Sequence, residues 1–201
     1  MRVLETKTST KKIKEIMSRG NTGYEIMGQD VTGSAGGLAI IWNPEEIQFE
    51  NWISLPRILS GNFKVIGSSE RVVLLGVYGP HSPTKRKGFL QNLKAMRRLI
   101  PEKPWIIGGD FNMITTLEEK SGGLKRIDSD MEMFRDMTSE QRMVYIQTIN
   151  GTHTWNNRRG GTNQIASRLD RFLITEQIMM KDVFIKAMIL PVVGSDHWPI
   201  K

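Results

Sequence analysis

The chain has 201 residues, no cysteine, 39% hydrophobic content and 28 lysines and arginines against 21 acidic residues, a net charge of +7 with a pI near 9.7. Such numbers describe one globular domain and exclude disulfides, thiolate metal sites and a thiol nucleophile, so any metal must sit on oxygen or imidazole. No stretch reaches the ~18 apolar residues of a membrane span and no apolar secretory segment opens the chain, while the positive charge favours a polyanionic partner, so an intracellular protein is expected.

The basic residues fall in short groups, Lys7 to Lys14, Lys85 to Lys87, Arg97 and Arg98, Arg158 and Arg159, rather than in one tail. Gly37–Trp42 is an apolar run preceded by Gly33, Gly36 and Gly37 and ended by Asn43-Pro44, which predicts a buried strand between turns. Residues 47–53 and 63–66 alternate as strands, with their junction expected near Gly61-Asn62. The β-branched run Arg71–Tyr78 stops at Gly79-Pro80 and predicts a central strand that delivers Tyr78 to its end. Phe89, Leu93, Met96 and Ile100 form one helical stripe, closed by Pro101 and Pro104. Residues 104–111 read as a short apolar strand opening into a loop, and a second helix is expected over about 130–141 around Met133, Phe134 and Met137. The last quarter returns to strands at 152–156, 167–175 and 184–190, with a short helical piece at 176–182. Strands flanked by helices in this order predict an α/β sandwich of two packed sheets with helices outside.

Three places carry residues suited to chemistry. In Gly108-Gly109-Asp110-Phe111-Asn112 a strand ends in glycines and presents a carboxylate and a carboxamide two residues apart, on one side of the chain. Such a pair orients a water and a phosphoryl oxygen; Asp and Asn after Gly are also ordinary turn residues. Asp170 lies inside an apolar strand and needs a partner if buried. His197, in the loop Gly194-Ser195-Asp196-His197-Trp198-Pro199, is a suitable one, because an orienting carboxylate fixes the tautomer of an imidazole and raises its basicity.

Glu5-Thr6-Lys7, Tyr78-Gly79-Pro80-His81, Gly109-Asp110-Phe111-Asn112, Arg168-Leu169-Asp170 and Ser195-Asp196-His197 occur in the order and approximate spacing of the endonuclease/exonuclease/phosphatase motifs, which this chain resembles. Lys120-Ser121-Gly122-Gly123 and Thr154-Trp155-Asn156-Asn157-Arg158-Arg159-Gly160 resemble its plant LINE retrotransposon branch. The resemblance implies a four-layer α/β fold, two packed mixed β-sheets flanked by helices, and a phosphodiesterase that uses Mg²⁺ or Mn²⁺ and a water nucleophile on DNA, with no membrane and no obligate protein partner. It matches Glu5 and Asp196 to carboxylates at or near the metal. Tyr78 matches a tyrosine on the scissile phosphate, Asp110 and Asn112 the pair that orients water and binds phosphate, and Asp170 with His197 a carboxylate–imidazole dyad. His197 is either a cation that stabilises the transition state or a neutral base. Tyr78 also reads as a cap on the core, Glu5 as an exposed terminal carboxylate, and His81 and His153 as surface histidines. Trp155 is expected to pack under a DNA-binding edge.

The pattern departs from the family at the ends. Members open with a strand bearing Trp-Asn, then a helix, whereas Met1 stands four residues before Glu5, and the final strand of relatives continues past the Ser-Asp-His motif. The expectation is therefore one domain over residues 1–201, a truncated copy lacking the first strand and helix and part of the last strand. Tyr145 and Gln147 stand where relatives often carry an aspartate. Two function classes follow: a nuclear or cytoplasmic DNA endonuclease of retroelement origin, or a non-catalytic remnant that only binds nucleic acid. An activity on inositol phosphates or sphingomyelin is disfavoured by the segment from Thr154 to Gly160.

Overall fold

The computed structural model describes the chain apart from residues 1, 7, 21–22, 31–35, 101–102, 182–184 and 193, and apart from the side chains of residues 2–5. Strand β1 (Arg2–Thr6) is followed by helix α1 (Thr10–Arg19), β2 (Glu25–Gln29) and β3 (Gly37–Trp42), and the three strands form an antiparallel sheet in the order β1-β3-β2. Then come β4 (Ile47–Leu55), β5 (Ile58–Val65), β6 (Arg71–Tyr78), helix α2 (Pro83–Leu99), β7 (Trp105–Asp110), β8 (Lys120–Ser121), helix α3 (Ser129–Glu140) and β9 (Met143–Ile146). The short pieces β10 (Trp155–Asn156) and β11 (Ala166–Ser167) precede β12 (Asp170–Thr175) and helix α4 (Glu176–Met179). A six-stranded mixed sheet runs β4-β5-β6-β7-β12-β9, with β6 and β7 its parallel pair, and a small sheet joins β10, β11 and β8.

Side-chain alternation on β3 and β6 builds the layers. Leu38, Ile40 and Trp42 of β3 meet Leu59, Phe63, Leu74 and Tyr78 between the two sheets, and Trp42 stacks on Phe49 while meeting Phe63 edge-on. The opposite face of β3, Ala39 and Ile41, packs with Ile26 against Ile13 and Met17 of α1. On the far face of the large sheet Val73, Leu75, Val77 and Ile107 meet Phe89, Leu90, Leu93 and Met96 of α2 and Phe134 and Met137 of α3. At about 1.5–3 kcal/mol for each large apolar side chain removed from water, this double-sided burial holds β6 in place as the central strand. The order helix, sheet, sheet, helix is the four-layer sandwich expected from the sequence.

Several elements differ from expectation. No turn occurs at Gly61-Asn62: the hairpin turns at Pro56-Arg57, and Gly61 sits in mid-β5 paired with both Trp52 and Leu74. A β-carbon at Gly61 would lie 2.4 Å from Met27 Cε and 2.5 Å from Phe63 Cε2, so both side chains would have to shift to admit one. Helix α1 and β2 lacked a stated sequence signal, although Ser9 caps α1 by accepting from Lys12 N at 3.3 Å. The strand expected over 167–175 breaks at Arg168-Leu169, and that over 152–156 is confined to Trp155–Asn156. Within 184–190 the described residues make only isolated bridges, Ala187 to Thr148 and Ile189 to Ile200, and Phe184 lies outside the described residues. No helix among the described residues is long and apolar enough to cross a membrane.

Candidate active site

Register fixes the first three groups. Tyr78, the last residue of β6, pairs with Asp110, the last of β7, and Asp110 pairs with Asp170, the first of β12. Three adjacent strands thus place a phenol and two carboxylates in one row on one edge of the sheet, where neighbouring strands lie about 4.8 Å apart. The close approach of β6 and β7 depends on Gly109, whose φ is +141° and whose β-carbon would lie 2.1 Å from Val77 O.

Asn112 then folds back on this row. Its backbone N–H donates to Asp110 Oδ1 at 2.7 Å, and its Nδ2 donates to Asp110 Oδ2 at 2.6 Å and to Gly79 O at 2.9 Å. Both oxygens of Asp110 are therefore oriented by one residue, which takes φ +52° to do so. Asp110 and Asn112 are buried. The turn expected of Asp and Asn after glycine is present here.

The C-terminal arm delivers His197. Its Nδ1 lies 2.9 Å from Asp170 Oδ2. Burial opposes its charge, but the hydrogen bond and charge of Asp170, with Asp110 and Asp196 nearby, override that penalty and push the imidazole up to about 9. Asp110, Asp170 and His197 each present a ligand atom within 4.8 Å of the others. The two carboxylates of this cluster, in a chain with no thiol, suit a hard divalent cation and so fit the metal that the resemblance implies, with His197 a ligand only when deprotonated.

The remaining candidates are placed unequally. Glu5 lies in β1 opposite Leu38, and β1 packs across β6 and β7, but its side chain is outside the described residues, as is Lys7. Asp196 is exposed and outside the three-group cluster, its Oδ2 accepting from Trp155 Nε1 at 3.0 Å. That bond, its backbone, His197 and Arg158 hold its carboxyl below the usual range against the opposing effect of burial.

Four features escaped the sequence reading. His81 is exposed as expected, yet its Nε2 lies 2.8 Å from the Tyr78 hydroxyl, and burial, Arg57, His197 and Arg86 hold its pKa down. Arg57, from the β4–β5 turn, covers the Tyr78 ring at 5.1 Å. Thr154, fully buried, accepts from Leu169 N and Asp170 N. Arg171, 1% exposed, makes paired 3.0 Å bonds to Glu119 and also donates to Met113 O and Arg168 O, tying together the loops on either side of the site. The Tyr78-Gly79-Pro80-His81 spacing was the available signal for the first; the others depend on contacts distant in sequence. His153, read as surface, is half-buried, and burial lowers its pKa.

A family described as endonuclease-reverse transcriptase matches residues 72–201, well over half of the chain. No curated protein matches it in sequence. Among solved structures, the endonuclease domain of TRAS1, a telomere-specific non-LTR retrotransposon, is 17% identical with a TM-score of 0.67, covering 89% of this chain and 76% of its own. TDP2 of D. rerio, solved with a single-strand DNA product, is 13% identical with a TM-score of 0.63, covering 98% and 82%. A mannosyl-6-phosphatase of Bacteroides thetaiotaomicron is 18% identical with a TM-score of 0.61, covering 98% and 83%. The four layers and the family match agree: this chain belongs to the endonuclease-reverse transcriptase family and has the endonuclease/exonuclease/phosphatase fold.

Proposed function

We propose that residues 1–201 form one DNA endonuclease domain of retroelement origin, of the plant LINE branch, dependent on Mg²⁺ or Mn²⁺. Support comes above all from the convergence of Asp110, Asp170 and His197 within 4.8 Å, with Tyr78 in one row with the two carboxylates. The fold alone leaves the substrate open, since a sugar phosphatase shares it. The net charge of +7 and the retroelement family match favour DNA.

In this reading Tyr78 contacts the scissile phosphate, and Asp110, its oxygens fixed by Asn112, orients the attacking water, while Asn112 gives its donors to Asp110 and Gly79 and serves to hold that carboxylate in place. His197, with a pKa of about 9, is cationic at neutral pH, which favours stabilisation of the charge that builds on the phosphoryl oxygens over a role as base. Asp170 orients the imidazole and keeps it charged. Water adds to phosphorus as the bond to the 3′-oxygen breaks, leaving a 3′-hydroxyl able to prime synthesis. A divalent ion, when bound, neutralises the non-bridging oxygens, with Glu5 and Asp196 as its carboxylates beside the cluster. A DNA substrate implies action in the nucleus or cytoplasm.

The test is nicking of supercoiled plasmid with Mg²⁺, beside EDTA and an Asp110→Ala control. Nicking that needs Mg²⁺ and disappears in Asp110→Ala is expected. Salt-sensitive DNA binding by folded protein without cleavage would replace this reading with that of a non-catalytic binding module.

A further inference from the structure

Thr154, Trp155 and Asn156 touch both arms of the Asp170–His197 pair. On one side Thr154 Oγ1 accepts from Asp170 N at 2.9 Å. On the other, Trp155 forms an isolated antiparallel bridge with His197, Trp198 N donates to Thr154 O at 2.7 Å, and Asn156 N donates to Asp196 O at 3.1 Å. Beneath them β10 is secured to β11 by Trp155 opposite Ser167. To this backbone frame the Trp155 side chain adds one polar contact, its Nε1–H donating to Asp196 Oδ2 at 3.0 Å.

That contact addresses a specific electrostatic difficulty. Asp196 is exposed, adjacent in sequence to His197, and two residues after Gly194, whose φ of +87° marks a turn. Asp110 and Asp170 already face His197, so a third carboxylate left to move would compete with Asp170 for the imidazole. A charge-assisted bond to a fixed indole removes this freedom.

We propose that Trp155 is a positioning residue, its indole N–H tethering Asp196 and thereby fixing the turn that presents His197 to Asp170. The inference rests on the nuclease reading above for its kinetic consequence, though not for the tether itself. It assigns Trp155 a task different from stacking on a base, which would use the ring face and act on DNA affinity.

The Trp155→Phe variant keeps an aromatic ring and the backbone bridges and deletes the donor together with part of the indole. With circular dichroism unchanged, kcat for nicking falls about 10–100-fold, the usual cost of losing a partner that orients a site residue, while KM and DNA affinity stay constant. Because Asp196 is also read as a carboxylate of the metal, the coupling is measured in metal-free protein: Trp155→Phe displaces the His197 ring resonances, and displaces them no further in an Asp196→Ala background, since its action passes through that carboxylate. A raised KM with kcat unchanged, or an effect that adds fully to that of Asp196→Ala, overturns the proposal. Should the wild-type protein not nick at all, the nuclease reading fails, and the tether is read alone by NMR in metal-free protein. The Trp155 indole N–H resonance, assigned by its loss in Trp155→Phe, must then move and lose exchange protection in Asp196→Ala; an unmoved resonance overturns the tether.

Discussion

His197 and Asp170, 2.9 Å apart, make a residue-scale titration that can be followed directly. The folded pKa of about 9 stands above the ordinary 6.5, so the pair's contribution to stability is complete below about pH 6.5 and disappears as pH rises through about 9. Metal-free protein should therefore lose urea resistance between pH 6 and pH 9.5 from this source. Asp170→Asn should flatten that decline, and NMR titration should show His197 falling back towards its ordinary value. The Arg171–Glu119 pair behaves differently, because both side chains are almost wholly buried. Glu119→Ala leaves the guanidinium uncompensated between Phe134 and Tyr145, and a loss of about 3–5 kcal/mol is expected in denaturant titration. Its interest lies in what Arg171 bridges: Met113, just past Asn112, and Arg168, just before Asp170.

Among the elements, the parallel β6–β7 pair sets the site's spacing. Gly109→Ala combines a left-handed φ with a collision against Val77 O, so it should cost more than about 1 kcal/mol in stability. It should also reduce nicking beyond what the lost stability explains, because Tyr78 and Asp110 are cross-strand neighbours there. A melting curve and a nicking assay at a temperature well below the transition separate the two effects. Legibility varied with how local the cause was. The β3 run and the α2 stripe were plain because burial on two faces or one leaves a period in the residues. Gly61 misled because a glycine in mid-strand looks the same in sequence as a glycine in a turn, and the Met27 and Phe63 side chains that crowd it are brought there by the fold. Arg57 gave no signal at all, since its place over Tyr78 follows from the register of β5 on β6.

For the whole molecule, the motifs disclosed the architecture and most of the site row because each sits at a strand end and keeps its own neighbours. The tether of Asp196, the Glu119 clamp and the His81 contact stayed hidden because they join segments that only the folded chain brings together. The +7 charge has a global consequence of its own. DNA affinity should fall by orders of magnitude between roughly 50 and 200 mM salt, with a linear dependence on the logarithm of salt concentration. A salt-independent affinity would mean that the basic groups are a solvated surface only.

The arm that carries His197 is attached unlike the rest of the site. Tyr78, Asp110 and Asp170 belong to continuous ladders, whereas His197 and its neighbours hold on through isolated bridges, single bonds to Thr154 and Asn156 and the side-chain bonds to Trp155 and Asp170. Attachments so few are expected to open locally at less cost than the sheets. Warming should thus silence the proposed nuclease reversibly while the sheets are still intact, so that any nicking fails several degrees before the melting transition and returns at once on cooling.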